Sequence, residues 1–161
     1  MAANAAIDIP RFLWWRLVGE LAARSQGRRE SGAFLLRRAE GNERRVRAFV
    51  CYDDLDPHCL VGSIQFHGDG YSALWQLCRE RSLEVAADIH THPGAGVGQS
   101  QIDARNPMLA VPGHVALIAP HFGRTSRVSL SGMGIHVFQG RGRWISYSHR
   151  ARGAPVRLVW W

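Results

Sequence analysis

Residues 90–103 read His-Thr-His-Pro-Gly-Ala-Gly-Val-Gly-Gln-Ser-Gln-Ile-Asp. As a pattern this is H-x-H-P, six residues, then S-x-x-D. With average residue usage, five specified positions recur by chance in a chain of 161 residues with probability on the order of 10⁻⁵. His90, His92 and Asp103 supply three ligands for a borderline-soft cation and leave a fourth position for water. That is the ligand count of a catalytic zinc site rather than of a closed structural one.

The surrounding residues give this spacing a local structure. Leu83–Ile89 (LEVAADI) is an apolar-rich run of strand length, which places His90 and His92 at or just past a strand end. Residues two apart on an extended chain share a face, so both imidazoles reach one point. Pro93 stops the ladder. Gly94, Gly96 and Gly98 let the next segment bend. Ser100 reads as a helix N-cap that sets Asp103 in the first helical turn, facing back toward the histidines. Taken alone, S-x-x-D also resembles a capping box, and a single histidine near a strand end is usually structural.

With these residues in place, the chain resembles the JAMM (also JAB or MPN) zinc metalloproteases. Their signature is an early strand glutamate followed by H-[ST]-H-P-x(6 or 7)-S-x-x-D. The early element matches Glu30-Ser31-Gly32-Ala33-Phe34-Leu35-Leu36, and the likeness runs from about residue 10 to residue 148. Asp103-Ala104-Arg105-Asn106-Pro107-Met108 and Ala116-Leu117-Ile118-Ala119-Pro120 look most like bacterial members encoded beside ubiquitin-like conjugation enzymes. The resemblance implies an α/β fold: a single MPN (JAB-like, cytidine-deaminase-like) domain over residues 1–161, with a mixed β-sheet flanked by helices and a C-terminal tail at 149–161. It also implies one Zn²⁺ on His90, His92 and Asp103 with water as fourth ligand, Glu30 as general base and Ser100 as donor to the substrate oxyanion. Spacing alone does not prefer Glu30 over Glu40, Glu43 or Glu84; the strand start and Gly32 do.

The activity so implied is hydrolysis after the C-terminal Gly-Gly of a ubiquitin-like protein or its conjugates, with conjugation enzymes as further partners. Three other readings stay open. One is a zinc hydrolase of a small adduct on a sulfur-carrier-type protein, and another is a non-catalytic MPN scaffold. The third is a RadC-like role near DNA, although such members carry His-Asn-His-Pro where this chain has His-Thr-His-Pro. The H-x-E and P-C-x-x-C pattern of zinc deaminases is absent.

Composition agrees with a compact enzyme, since 46% hydrophobic residues suffice for a sizeable core. No apolar run is long enough to span a membrane. Asp8, Arg11 and Arg16 interrupt the N-terminal apolar stretch, so it does not read as a secretory signal. Cys51, Cys59 and Cys78 are odd in number and lack C-x-x-C spacing, which suits a reduced cytoplasm. All 20 basic residues are arginine, and the net charge is +7. Codon bias accounts for the absence of lysine, and so would work beside a lysine-targeting conjugation system. The arginines are dispersed along the chain and not interleaved with aromatics, which argues against a nucleic-acid patch.

Along the chain, Pro10 opens a helix of about sixteen residues. Its residues Leu13, Trp14, Leu17, Val18 and Leu21 lie on one face. Strands are expected at Ser31–Arg38 and Arg45–Tyr52, joined by a turn at Glu40-Gly41-Asn42-Glu43. A short strand is expected within Leu60–Phe66. A second helix starts at Gly70, with Tyr71, Leu74, Trp75 and Cys78 at helical spacing and with Trp75, like Trp14, in the core. A short helix follows near Gln101–Leu109. Further strands fall at His114–Ala119, Met133–Gln139 and Trp144–Tyr147. The tail Val156–Trp161 is apolar enough to dock. His67, His114, His121, His136 and His149 have no partner at ligand spacing and read as structural or exposed.

Overall fold

The fold was obtained as a computed structural model that describes residues 6–161. Pro10, at φ −58°, leads into helix α1 (Arg11–Ser25). Its buried residues Trp14, Leu17, Val18, Leu21 and Ser25 form one stripe. Gln26 ends the helix in the left-handed region. Strand β2 (Gly32–Arg38) then pairs antiparallel with β3 (Val46–Cys51). Between them Gly41 and Asn42 both take positive φ, as a tight turn requires. Tyr52 leaves the strand expected for it and opens a single helical turn, α2 (Tyr52–Leu55).

Helix α3 (Gly68–Arg81) precedes β4 (Leu83–Thr91). The chain then runs through the short helix α4 (Gln101–Arg105) to β5 (Val115–Ala119), β6 (Gly134–Gly140) and β7 (Arg143–Tyr147). The sheet order is β3-β2-β4-β5-β6-β7, with β4 and β5 parallel and every other pair antiparallel. The sheet is therefore mixed. Alternation along the strands sends Ala33, Leu35, Ala87, Ile89, Val115, Leu117 and Ile135 into a core under α1. Phe34 and Leu36 face the other way, into a core with Tyr52, Leu74 and Cys78 under α3.

Several expectations needed correction. Leu60–Phe66 forms no strand, only a Leu60–Ile64 bridge, because Gly62 at φ +111° turns the segment and Gln65 N donates back to Cys59 O. α4 stops at Arg105 rather than Leu109, since Pro107 disfavours helix in the residue before it. Trp75 lies on the flank of α3 and is 38% exposed, stacked on Tyr71, whereas Trp14 is fully buried. The tail does dock: β8 (Val156–Val159) pairs parallel with β1 (Ile7–Pro10), a short ribbon whose Ile7, Ile9 and Val156 join the α1 core. The three cysteines are free and buried. Among the described residues no helix is long and apolar enough to cross a membrane.

Register aligns two rows of side chains across the face under α3. One row is Gly32–His90–Ile118–Gly134, and the next is Phe34–Asp88–Ala116–His136. Gly32 has no room for a side chain: a Cβ there would collide with the Tyr52 ring and lie 2.8 Å from Ile89 O. Gly32→Ala is expected to cost about 1–3 kcal/mol, as overpacking of a dense core does. Chemical denaturation should show a lower midpoint at unchanged slope, and an unchanged midpoint would contradict this account.

Candidate metal centre and cleft

His90 is the penultimate residue of β4 and His92 follows the strand's end, so both imidazoles leave the same face. Their Nε2 atoms are 3.1 Å apart. Asp103 Oδ2 lies 3.2 Å from His92 Nε2 and 3.5 Å from His90 Nε2. Ligand atoms on a tetrahedron around zinc, at about 2.0–2.1 Å from the ion, are separated by about 3.3–3.4 Å. The triangle of donors fits that edge length. It is one of convergent lone pairs, which repel unless a proton or a cation sits between them, and the group could hold a metal ion.

Neighbouring residues set the chemical state of each donor. His92 Nδ1 donates to Gly96 O at 3.0 Å, which fixes the tautomer and leaves Nε2 as the acceptor. The contact with Asp103 raises the His92 pKa. Burial alone would push the Asp103 carboxyl up. Its close contacts with His90 and His92 and the hydrogen bond it accepts from Ser100 outweigh that and hold it far below the usual carboxylate range. Asp103 Oδ2 also accepts from Ser100 N at 3.0 Å, while Asp103 N donates to Ser100 Oγ at 3.1 Å. This reciprocal cap at the start of α4 is what the S-x-x-D spacing builds. It uses an acceptor lone pair of Ser100 and leaves the hydroxyl proton unspent.

Glu30 lines the same cleft as His90, Ser100 and Asp103, a cavity of about 760 Å³. Burial raises its carboxyl pKa, opposed by His90 and His92 and assisted by Asp103. Two other candidate glutamates are engaged elsewhere, Glu43 with Arg47 and Glu84 with Arg37. Glu40 lies exposed beside the β2–β3 turn.

Glu30 is held in place by buried hydroxyls. Ser31 Oγ donates to Leu21 O, so Ser25 Oγ must donate to Ser31 Oγ and Thr91 Oγ1 to Ser25 Oγ. Ser31 N also donates to Thr91 Oγ1 at 2.9 Å. The relay ties the end of α1, the residue after Glu30 and the residue between the two histidines into one joint.

Three further residues were not assigned roles from the sequence. His136 bridges Ser146 Oγ and Val97 O, each at 2.8 Å, and so pins the glycine-rich loop between His92 and Asp103. Burial lowers its pKa. Asp88, at the floor of the cleft, accepts from Tyr52 OH at 3.1 Å and pairs with His114 Nε2 at 2.5 Å. The only sequence signal for these is the polar residue inside otherwise apolar strands: Asp88 in LEVAADIHT and His136 in GIHVFQG.

No protein-family model matches the chain. It is similar in structure to a protein of Desulfitobacterium hafniense (TM-score 0.58, 16% identity, 94% of this chain and 92% of that one covered). A protein of Salinibacter ruber is similar at TM-score 0.58 and 14% identity, with 88% of each chain covered. A JAB1/MPN domain protein from Archaeoglobus fulgidus is similar at TM-score 0.51 and 13% identity, covering 96% of this chain and 98% of that one. The fold is MPN/JAB-like.

Two measurements test the geometry of the centre. Zinc analysis after dialysis should show one metal lost in His92→Ala and in Asp103→Ala but retained in Glu30→Ala; equal loss in Glu30→Ala would make that residue a ligand or a structural element. Thr91→Val keeps the side chain's shape but removes both relay bonds, leaving Ser31 N unpaired. It should lower unfolding free energy by about 1–3 kcal/mol, and no change in denaturation would remove the joint described above.

Proposed function

We propose that the chain is a zinc-dependent isopeptidase or processing protease that cleaves after the C-terminal Gly-Gly of a ubiquitin-like protein. The observation that carries this reading is the His90–His92–Asp103 triangle at zinc-ligand spacing, in a cleft that Glu30 and Ser100 also line. Zinc bound there would supply Lewis acidity and bring the pKa of its water toward neutrality. Glu30 would serve as general base toward an attacking water and return the proton to the leaving amine. Burial raises its pKa, which makes the carboxylate a stronger base than an exposed one. Ser100 directs its free hydroxyl proton at the substrate carbonyl oxygen as negative charge develops there, an interaction worth about 3–4 kcal/mol of barrier in comparable sites. Intact ligands and a base in place favour an enzyme over a non-catalytic scaffold.

A second reading draws on the far end of the cleft, where Phe66, Tyr71, Met108 and Ala116 form an apolar wall. Two glycines leave that wall uncovered. A small adduct bearing a large apolar group would cover it, as in hydrolysis of an amino acid joined to a sulfur-carrier-type protein.

A ubiquitin-like protein with a C-terminal fusion after its Gly-Gly is expected to be cut at that glycine by the zinc-loaded protein. Cutting should cease with a chelator and in Glu30→Ala, which keeps its metal. An intact fusion after incubation with folded, zinc-loaded protein would sink the Gly-Gly assignment and leave the adduct reading.

A further inference from the structure

Dispersed along the sequence, Arg11, Arg16 and Arg127 converge with aromatic residues on the outer surface of α1. Phe12 is 68% exposed, Trp15 47% and Trp160 78%, and Val128 lies among them at 66%. The Arg127 guanidinium sits 3.7 Å over the Trp15 ring, and that of Arg11 4.8 Å over Trp160. Arg16 lies between Phe12 and Phe49, at 5.8 and 5.9 Å. None of the three arginines is in an ion pair among the described residues, whereas Arg24, Arg37, Arg47 and Arg157 each have a carboxylate. The patch thus combines unpaired positive charge with large exposed apolar area. Proteins rarely leave such area open without a binding role, and its composition is that of interface hot spots.

We propose that this α1 surface docks an acidic polypeptide segment that carries large apolar side chains. Charge selects the occupant. A second copy of this chain would set three unpaired arginines against the same three in an isologous contact, which is repulsive. Single-stranded nucleic acid would need open ring faces for base stacking. Here guanidinium groups already cover the Trp15 and Trp160 rings. Two of those arginines are also fixed in place, Arg127 Nε donating to Trp15 O and Arg11 Nη1 to Val128 O, each at 2.9 Å. A pre-positioned guanidinium with free Nη donors suits carboxylates, while Phe12 and Val128 offer the apolar contact. The net charge of +7 adds steering of an acidic partner.

α1 packs on the sheet face opposite the one that bears His90, so an occupant here leaves the cleft open. The surface is therefore one for recruitment. It stands whether or not the protease reading holds.

The test pans a phage-displayed library of random short peptides against the intact protein and measures the recovered peptides by fluorescence anisotropy. Wild type is compared with Phe12→Ser, with Arg16→Glu and with Arg79→Glu, a charge reversal on α3 beyond the sheet. Recovered peptides should carry net negative charge with large apolar residues. Affinity should fall about tenfold or more in Phe12→Ser and Arg16→Glu, and much less in Arg79→Glu, with all variants melting like wild type. Peptides without acidic residues, or an equal loss in Arg79→Glu, would overturn the proposal. So would oligothymidylate binding that the two patch variants abolish, since that would assign the surface to nucleic acid.

Discussion

A joint of three hydroxyls on the far side of the sheet ties Ser31, next to Glu30, to the strand that bears both histidines. Two imidazoles on one face of a strand require the residue between them to point to the other face, and that residue is Thr91. Its hydroxyl enters the relay through Ser25 and Ser31 to Leu21 O, and it accepts from Ser31 N. The side chain that must turn away from the two imidazoles is thus the one that ties Ser31, the residue after Glu30, to the same strand. A valine would fill the space but leave a buried N–H unpaired, the costly side of hydrogen-bond energetics. Together with the β2–β4 pairing and the bond from Glu30 N to Gly62 O, this joint sets Glu30 beside the two histidines.

That dependence separates what the sequence shows from what it hides. His90, His92, Ser100 and Asp103 lie within fourteen consecutive positions, so strand periodicity and a capping box place them without knowledge of the fold. Glu30 is remote, and only the antiparallel pairing of β2 with β4, which sets Gly32 beside His90, brings it near. Family resemblance singled it out, and local spacing could not. The β1–β8 ribbon was invisible for a related reason: four-residue strands whose partners lie about 150 positions apart carry too little periodicity to register. Leu60–Phe66 misled in the opposite sense. Its apolar run resembles a strand, but Gly62 turns the backbone before a ladder can form. Trp75 shows the limit of helical spacing, which marks a stripe but not the edge where burial ends.

The polar row next to the metal row is an unusual thing to place on a sheet face. Asp88, His114 and His136 are buried among Phe34, Ala116 and Phe138, where unpaired polar groups would cost several kcal/mol each, about 1–3 by mutational measure. Each is instead satisfied: Asp88 by Tyr52 and His114, His136 by Ser146 and Val97 O. An apolar row would fold as well or better. What the polar row adds is geometry. His136 fixes the loop that joins the two halves of the ligand set, and Gly134, whose missing side chain leaves room for Val97 O, lets that loop approach. The pair thereby holds His92 and Asp103, at the two ends of that loop, in their close approach.

Charge is divided in the same spirit. The chain is strongly basic, yet the cleft gathers Glu30, Asp88 and Asp103 around two histidines. The Asp103 charge adds to burial in raising the Glu30 pKa, as a like charge nearby does. A divalent cation at the triangle would relieve that repulsion, whereas an arginine there would satisfy the carboxylates and close the site. Among the described residues Arg105 is the arginine that lines the cleft, while Arg11, Arg16 and Arg127 lie across the sheet, engaged there by aromatic rings and backbone carbonyls. The sheet therefore lies between the carboxylates of the cleft and the three arginines that have no ion pair among the described residues. With both on one side, each charge set would neutralise the other, and neither a metal nor an acidic partner would find a field to bind.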